Sequence, residues 1–156
     1  MDSQDRPILL VDDDASDIEL TRWAFQNSGF TTDMAIARDG LEALDLLLPS
    51  DGRPPLEPAM VLMDVDMPRM GGVETVRRIR AEPSTKLLPV IMLTSSLADR
   101  DIVDSSNVGA NGYVQKPLDI EDLLKIASAV GAFWIDLNRT HGTPGRPSTS
   151  PPVPGG

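Results

Sequence analysis

Short apolar runs alternate along the chain with stretches in which apolar residues recur every three or four positions. Continuous apolar runs of this length are typical of strands that are buried on both faces of a parallel sheet. Each run is followed by polar or turn-forming residues, which mark its end. The pattern predicts five β-strands, over residues 7–13, 31–37, 59–64, 87–94 and 112–115.

The stretches between the runs have the helical period. They predict helices over 15–28, 39–48 and 99–108, a helix spaced by Val73, Val76 and Ile79, and a last helix capped by Asp119. Gly29 is expected to end the first helix, and the prolines of 49–58 predict a loop. Strands that alternate with helices predict an α/β fold, a doubly wound five-stranded parallel sheet with five helices.

In such sheets, ligands bind at the carboxyl ends of the strands. Polar residues follow the strands at those ends. They are Asp12, Asp13 and Asp14 after the first strand, Asp64 at the end of the third, Thr94 and Ser95 at the fourth, and Lys116 after the fifth.

Carboxylates gathered at one sheet edge repel one another unless a cation lies between them. Oxygen ligands without histidine or cysteine suit Mg²⁺. Lys116 would add a positive charge and Thr94 a hydroxyl donor, so that the edge could bind a phosphoryl group, with the carboxylate of Asp64 as nucleophile. Because the only histidine, His141, follows the predicted core and the chain has no cysteine, other nucleophiles are few.

Composition narrows the function further. The formal net charge of −10 argues against binding to nucleic acid. Neither a membrane span nor a signal peptide is expected, and the lack of cysteine fits a cytoplasmic protein. The segment 140–156 is rich in proline, glycine and serine, and we expect a disordered tail there.

Each polar signal also has a purely structural explanation. Asp14, with Asp17 three residues later, resembles a helix capping box. Thr94 could simply favour a strand, and Lys116 could be a solvated lysine before a turn at Pro117. Four such residues at the ends of four different strands are nevertheless hard to attribute to chance.

The motifs that hold these residues resemble the receiver domain of two-component response regulators, over roughly residues 6–136. The motifs are VDDD at the first strand, VLMDVDMPRMGG at the third, PVIMLTS at the fourth and GANGYVQKP at the fifth. The resemblance implies the flavodoxin-like receiver fold, with a receiver domain over residues 1–139. It also implies a response regulator that accepts a phosphoryl group from a histidine kinase.

The resemblance assigns a role to each site residue. Asp64 is the implied phosphorylation site, with Thr94 and Lys116 as its catalytic partners. Mg²⁺ is expected on Asp13, Asp64 and the carbonyl of Asp66, with Asp12 acting through water. Thr94 and Tyr113 are expected to form the switch. Asp66 and Ser96, two positions after Asp64 and Thr94, are expected to set the lifetime of the phosphate.

Two features depart from the simplest receivers. The 49–58 loop is longer, and Gly71 stands where the family often has an aspartate. The long loop and the sequence AFWIDLN near the end of the last helix resemble single-domain regulators that are paired with bacterial phytochrome histidine kinases. A histidine kinase acting in trans is therefore the expected partner, with a phytochrome kinase as the narrower candidate, and an unknown downstream protein is the expected target.

Three alternatives compete with this function. Asp64-Val65-Asp66 also occurs as the Asp-x-Asp motif of haloacid-dehalogenase-like, Mg²⁺-dependent phosphatases, but there the motif lies on the first strand. An interaction module without phosphorylation would not need the full set of site residues. A transcription factor is disfavoured because only the tail follows the last helix. We therefore expect a signalling protein and not an enzyme.

The last predicted helix carries more apolar residues than one face of a sheet requires. Beyond its core stripe it has Ile126, Phe133, Trp134 and Leu137. A wide apolar face of this kind is typical of a protein contact. We therefore expect a homodimer, although Phe133 and Trp134 could instead close the core.

Overall fold

The computed structural model describes residues 6–28, 33–50, 52–116 and 119–141. Strands and helices alternate strictly along the chain. The elements are β1 (Ile8–Val11), α1 (Ala15–Gln26), β2 (Met34–Ala37), α2 (Gly40–Leu47), β3 (Met60–Asp64), α3 (Gly72–Ala81), β4 (Val90–Thr94), α4 (Leu97–Ser106), β5 (Gly112–Gln115) and α5 (Ile120–His141).

All strand pairs are parallel, and the strand order is β2-β1-β3-β4-β5. The predicted doubly wound sheet of five strands and five helices is thereby confirmed. The strand order reverses between β1 and β3, where the chain passes from one half of the sheet to the other. This reversal places the carboxyl ends of β1 and β3 side by side, since Val11 is in register with Met63.

Alternate residues of the central strands pack on opposite faces of the sheet. Leu9 and Val61 belong to a core with Val76 and Ile79 of α3. Leu10 and Leu62 belong to a second core with residues of α1 and α5, among them Ile18, Phe25 and Ala127. Both faces of the sheet are therefore covered, which explains why β1 and β3 are continuous apolar runs.

Several predicted boundaries differ from the structure by one to three residues, and two of these differences have a clear local cause. The fourth strand begins at Val90 and not at residue 87, and Leu87 is 87% exposed. The residues before β4 form turns in which the Leu88 N–H donates to the Thr85 carbonyl. The fourth helix begins at Leu97 and not at Asp99, because Ser96 is its N-cap and accepts a hydrogen bond from the Asp99 N–H.

The segment between α2 and β3 is the loop that its prolines predict. Ser50 and Arg53 form an isolated antiparallel bridge, and Arg53 Nη2 lies 3.0 Å from Asp45 Oδ2. Leu56 packs on the core, and its N–H donates to the Leu46 carbonyl. This loop enters β3 at its amino end, so it lies at the edge of the sheet opposite Asp64.

The structure leaves several expectations open. Gly29 lies outside the described residues, as do Thr31 and Thr32 of the second predicted strand. The helix α5 extends through His141, and residues 142–156 of the expected tail are outside the described part. No helix in that described part is both long and apolar enough to cross a lipid bilayer.

Candidate functional site

Four neighbouring strands deliver the predicted site residues to one edge of the sheet. Asp12 follows β1, Asp64 ends β3, Thr94 ends β4 and Lys116 follows β5. Hydrogen bonds carry the pairing past the strand ends, since the Lys116 N–H donates to the Thr94 carbonyl at 2.7 Å. The edge at the reversal of strand order therefore holds polar groups from distant parts of the chain.

Two of these groups, Asp12 and Asp64, form an acidic triad with Asp13. The carboxylate oxygens of Asp12, Asp13 and Asp64 lie within 4.8 Å of one another. Asp12 is fully buried, Asp64 is nearly so, and Asp13 is exposed. Carboxylates held this close, and partly out of water, are destabilised by mutual repulsion unless a cation is shared between them. The donor set, which consists of oxygen only, fits a hard divalent cation.

The two carboxylate oxygens of Asp12 make different contacts. Its Oδ1 accepts a hydrogen bond from the Asp14 N–H at 3.0 Å, which fixes the turn from β1 into α1. Its Oδ2 is 3.0 Å from Lys116 Nζ but, among the described residues, accepts no well-directed hydrogen bond. A buried carboxylate oxygen with spare acceptor capacity suits a metal-bound water, and this is a second reason why the triad fits a cation.

Lys116 is the positive centre of the site. Its Nζ lies 2.8 Å from Asp17 Oδ2, 3.0 Å from Asp12 Oδ2 and 3.3 Å from Asp64 Oδ2, and its side chain is 11% exposed. Burial alone would lower the pKa of Lys116, but the neighbouring carboxylates of Asp17, Asp12 and Asp64 raise it above its ordinary value. The ammonium therefore stays charged.

Burial dominates the electrostatics of Asp64. It raises the pKa of this carboxyl to about 7, while Lys116 acts in the opposite direction and Asp12 reinforces the rise. A cation bound to the triad would favour the ionised form by the same Coulombic argument. The ionised form of Asp64 is thus coupled to the binding of positive charge beside it.

Asp66 lies next to the triad but its carboxylate is not part of it. Partial burial and the nearby carboxylate of Asp99 raise the pKa of Asp66. Asp99 is buried and accepts the Ser95 N–H at 3.0 Å, so it also ties the end of β4 to the first turn of α4. The hydroxyl of Ser96 is used as the helix cap and so is not free to move independently.

The two expected switch residues occupy neighbouring strands. Thr94 is buried, and its hydroxyl donates a long hydrogen bond of 3.5 Å to the Val114 carbonyl. Tyr113 precedes Val114, and its hydroxyl donates to the Asp104 carboxylate on α4. Arg100 of the same helix stacks its guanidinium 4.6 Å from the centroid of the Tyr113 ring. Thr94 and Tyr113 are therefore linked through one short stretch of β5.

The loop after Asp64 is held tightly against the site. The Gly72 N–H donates to the Val65 carbonyl at 2.9 Å, and a Cβ at position 72 would come within 2.3 Å of the Asp64 carbonyl oxygen. Gly71 is the N-cap of α3 and makes no side-chain capping bond, as expected where an aspartate is missing. Arg69, in the same loop, has a φ of 66° and forms an ion pair with Asp39 at the start of α2.

Sequence analysis missed the role of Asp17. Its spacing from Asp14 indicated a capping box, and Asp14 does accept the Asp17 N–H at 3.0 Å. The Asp17 carboxylate, however, contacts Lys116. The one indication of this contact in the sequence was the position of Asp17 in the first turn of α1, the helix that begins next to the site.

The strand order is that of the flavodoxin-like fold, and an acidic triad, a lysine and a threonine at the carboxyl edge are the features expected of a receiver domain. The chain belongs to the response regulator receiver domain family, whose model matches residues 8–128.

Full-length relatives are similar over most of the chain. The probable methanogenesis regulatory protein FilR2 of Methanothrix harundinacea is 35% identical over 135 residues, which cover 86% of this chain and 87% of that protein. The response regulator Rcp1 of Synechocystis is 30% identical over 132 residues, 83% of this chain and 88% of Rcp1.

Solved structures of response regulators also match this chain. The Mn²⁺-bound form of Rcp1 matches with a TM-score of 0.69 and 30% identity, over 84% of this chain and 95% of that one. The bacteriophytochrome response regulator AtBRR matches with a TM-score of 0.70 and 38% identity, over 83% of this chain and 94% of that one. The expected response-regulator function is confirmed at this level, and the haloacid-dehalogenase alternative has no support.

Proposed function

We propose that this protein acts as a stand-alone phosphorylation switch that takes a phosphoryl group from a partner histidine kinase onto Asp64. The observation that carries the proposal is the placement of the Asp64 carboxylate, within 4.8 Å of two further carboxylates and 3.3 Å from Lys116 Nζ. This arrangement offers a nucleophile together with positive charge for the oxygens of a phosphoryl group.

The acidic triad is proposed to hold Mg²⁺. Asp13, Asp64 and the backbone carbonyl of Asp66 would be its ligands, and Asp12 would act through water. The cation would neutralise phosphoryl oxygens during transfer. The existence of an Mn²⁺-bound form of the similar protein Rcp1 supports a divalent cation here.

The remaining chemistry belongs to the chain itself. An oxygen of Asp64 forms a bond to phosphorus as the phosphorus–nitrogen bond of the donor phosphohistidine breaks. The nitrogen keeps the electron pair of that bond. The ring leaves as neutral imidazole when its other nitrogen carries a proton, and otherwise it takes up a proton from solvent as it leaves. Lys116 places its ammonium beside the reacting carboxylate, and Thr94 supplies a hydroxyl to a phosphoryl oxygen after transfer.

The new charge is then proposed to move the switch residues. Thr94 would exchange its long hydrogen bond to the Val114 carbonyl for a stronger one to a phosphoryl oxygen. Tyr113, on the same stretch of β5, would follow and reshape the surface of α4, β5 and α5. A change of this kind is a population shift between two states.

The partner is proposed to be a phytochrome-type kinase, since the similar proteins AtBRR and RcpA are a bacteriophytochrome response regulator and a cyanobacterial phytochrome response regulator. The output is proposed to be contact with a downstream protein, with no catalytic turnover. The cytoplasmic location and the disordered tail expected from the sequence stay predictions.

Intact-mass measurement after incubation with phosphoramidate and Mg²⁺ tests the acceptor. The wild type should gain one phosphoryl group, and Asp64→Asn should gain none because the amide is a poor nucleophile. Asp45→Asn, which changes an exposed aspartate on α2, is the matched control and should be labelled like the wild type. Equal labelling of Asp64→Asn would refute the assignment, and sustained hydrolysis of a phosphate ester would contradict a non-enzymatic role.

A further inference from the structure

One carboxylate beside the acceptor site has no task in the proposed chemistry. Asp17 lies outside the acidic triad, yet its Oδ2 makes the shortest of the three contacts to Lys116 Nζ, at 2.8 Å. It comes from a helix, whereas the other two contacts come from strand ends. Lys116 is therefore connected to α1 as well as to the sheet.

The position of Asp17 is fixed by its own helix. Asp14 caps α1 by accepting the Asp17 N–H at 3.0 Å, and the Asp14 carbonyl accepts the N–H of Ile18. Ile18 is buried in the core. The first turn of α1 is thus anchored on both sides of Asp17, whose carboxylate, 23% exposed, is directed at Lys116.

We propose that Asp17 is a positioning residue that holds the Lys116 ammonium beside Asp64 during phosphoryl transfer. This proposal rests on the proposed function, because it deepens the role of Lys116 in that reaction. It assigns to α1 a direct part in preparing the acceptor site.

The geometry explains why such an anchor is useful. An ammonium has three N–H donors on a flexible four-carbon stem. Asp12 and Asp64 belong to the triad, so a cation bound there competes with Lys116 for both of them. Asp17 is outside the triad and keeps its contact, so that one donor stays on α1 while another remains directed at the acceptor oxygen.

The positioning role and a pure charge effect of Asp17 predict opposite changes in the rate of phosphorylation, so the rate distinguishes them. Asp17 adds negative charge near an anionic phosphodonor, and its neutralisation would by charge alone speed the reaction. If Asp17 positions Lys116, its neutralisation slows the reaction instead, since an ammonium that is no longer held loses part of its orientation.

The first measurement is the initial rate of labelling by phosphoramidate with Mg²⁺, followed by intact mass. We expect Asp17→Asn to be roughly three- to tenfold slower than wild type. Glu19→Gln is the matched control, because it removes the same charge from an exposed position of the same helix. It should be labelled at the wild-type rate or slightly faster.

Repeating the Asp17→Asn substitution in a variant that lacks the lysine separates positioning from a general structural effect. In Lys116→Gln, the further change Asp17→Asn should have no slowing effect, because there is no ammonium left to hold. An equal slowing in both backgrounds would overturn the proposal, as would an unchanged rate of Asp17→Asn in the wild-type background.

Calorimetric titration with Mg²⁺ covers the case in which Lys116→Gln is not labelled at all. A lysine that is no longer held by Asp17 is free to move into the space between Asp12 and Asp64 that the cation needs, so Asp17→Asn should weaken Mg²⁺ binding more than Glu19→Gln does. This difference should vanish in Lys116→Gln, and its persistence there would overturn the proposal. Absence of labelling in the wild type would instead refute the proposed function itself.

Discussion

Asp66 and Ser96 flank the acceptor site in different ways. Asp66 is an exposed carboxylate beside Asp99, whereas Ser96 uses its hydroxyl to cap α4. A negative charge at position 66 is expected to affect the approach of water to an acyl phosphate. A change at position 96 is expected to act through the turn that follows Thr94 and leads into α4.

We therefore predict that Asp66→Ala and Ser96→Ala change the rate of dephosphorylation while phosphorylation remains possible. Loss of intact-mass label after removal of the phosphodonor measures that rate. Ser96→Asn, which keeps a capping group, is the control for the roughly 1 kcal/mol that an alanine costs at an N-cap. If both alanine variants decay like the wild type, the lifetime is set by other residues.

Gly72 is the residue whose replacement should disturb the site most directly without removing a polar group. An added Cβ would lie 2.3 Å from the Asp64 carbonyl oxygen and 3.0 Å from Val65 Cα, and backbone atoms cannot move aside cheaply. We predict that Gly72→Ala lowers the free energy of unfolding by about 1–3 kcal/mol. It should also slow labelling of Asp64.

Gly71→Ala is the matched control for Gly72→Ala. Its added Cβ would meet one atom only, the Val65 carbonyl oxygen at 3.1 Å. Urea denaturation and labelling rates should therefore show a clearly smaller effect. Equal effects at both positions would contradict the steric explanation.

The sequence predicted those site residues whose location follows directly from the end of a strand. Asp12, Asp64, Thr94 and Lys116 lie at strand ends, so strand assignment alone brought them together. Asp17 was not predictable in the same way, because its backbone and its side chain serve different partners. Asp99 and Asp104 were missed because the helical pattern does not reveal their partners, which are the Ser95 N–H just before α4 and the Tyr113 hydroxyl on β5.

At the scale of elements, an ion pair joins α2 to the loop before α3. Asp39 caps α2 by accepting the Glu42 N–H, and Arg69 Nε lies 2.6 Å from its Oδ2. The hydrogen bond from Arg69 lowers the pKa of Asp39 below its ordinary value of 3.8, although burial opposes it. Because the folded-state pKa is lowered, the stabilisation is present above the unfolded-state pKa and is lost as the pH falls through the folded-state value.

We predict that Asp39→Asn, which keeps a cap, lowers the free energy of unfolding near neutral pH by about 0.5–1 kcal/mol, since Arg69 is exposed to solvent. The difference from wild type should shrink as the pH falls below about 4. Urea denaturation at several pH values measures it. Asp119→Asn, at the N-cap of α5, is the control without an arginine partner among the described residues. A difference that stays constant into acid would contradict the ion-pair explanation.

Element boundaries were predicted less well than element types, for a local reason. Leu87 and Leu88 extend the apolar run of β4, but turns over 82–88 and the missing N–H of Pro89 prevent pairing there. The start of α4 was misplaced because the serine cap at position 96 was not recognised. In both cases backbone hydrogen bonds decided the boundary, and the apolar pattern carries no information about them.

At the scale of the whole molecule, exposed apolar residues bear on association. Leu97 and Ile102 on α4 are 72% and 52% exposed, and a further apolar face is expected on α5. The side chains of Phe133 and Trp134 are outside the described part of the structure. A homodimer through α4, β5 and α5 would cover the exposed apolar residues of both copies.

We predict that the wild type is a dimer by light scattering and that Phe133→Asp combined with Trp134→Ser makes it monomeric. Circular dichroism would show that the double variant is folded. A wild type that stays monomeric at high concentration, with and without phosphodonor, would refute the dimer. A dimer that survives in the folded double variant would place the interface elsewhere.

The proline-containing loop over 49–58 enters β3 at its amino end, the full length of a strand away from Asp64. Its length can therefore vary with little effect on the chemistry, since each doubling of a flexible loop costs only about 0.6 kcal/mol in closure entropy. A protein engineer could use this loop to attach a fluorescent reporter to the switch. Over evolutionary time, the same separation gives related chains a place to accept insertions while the acceptor site is preserved.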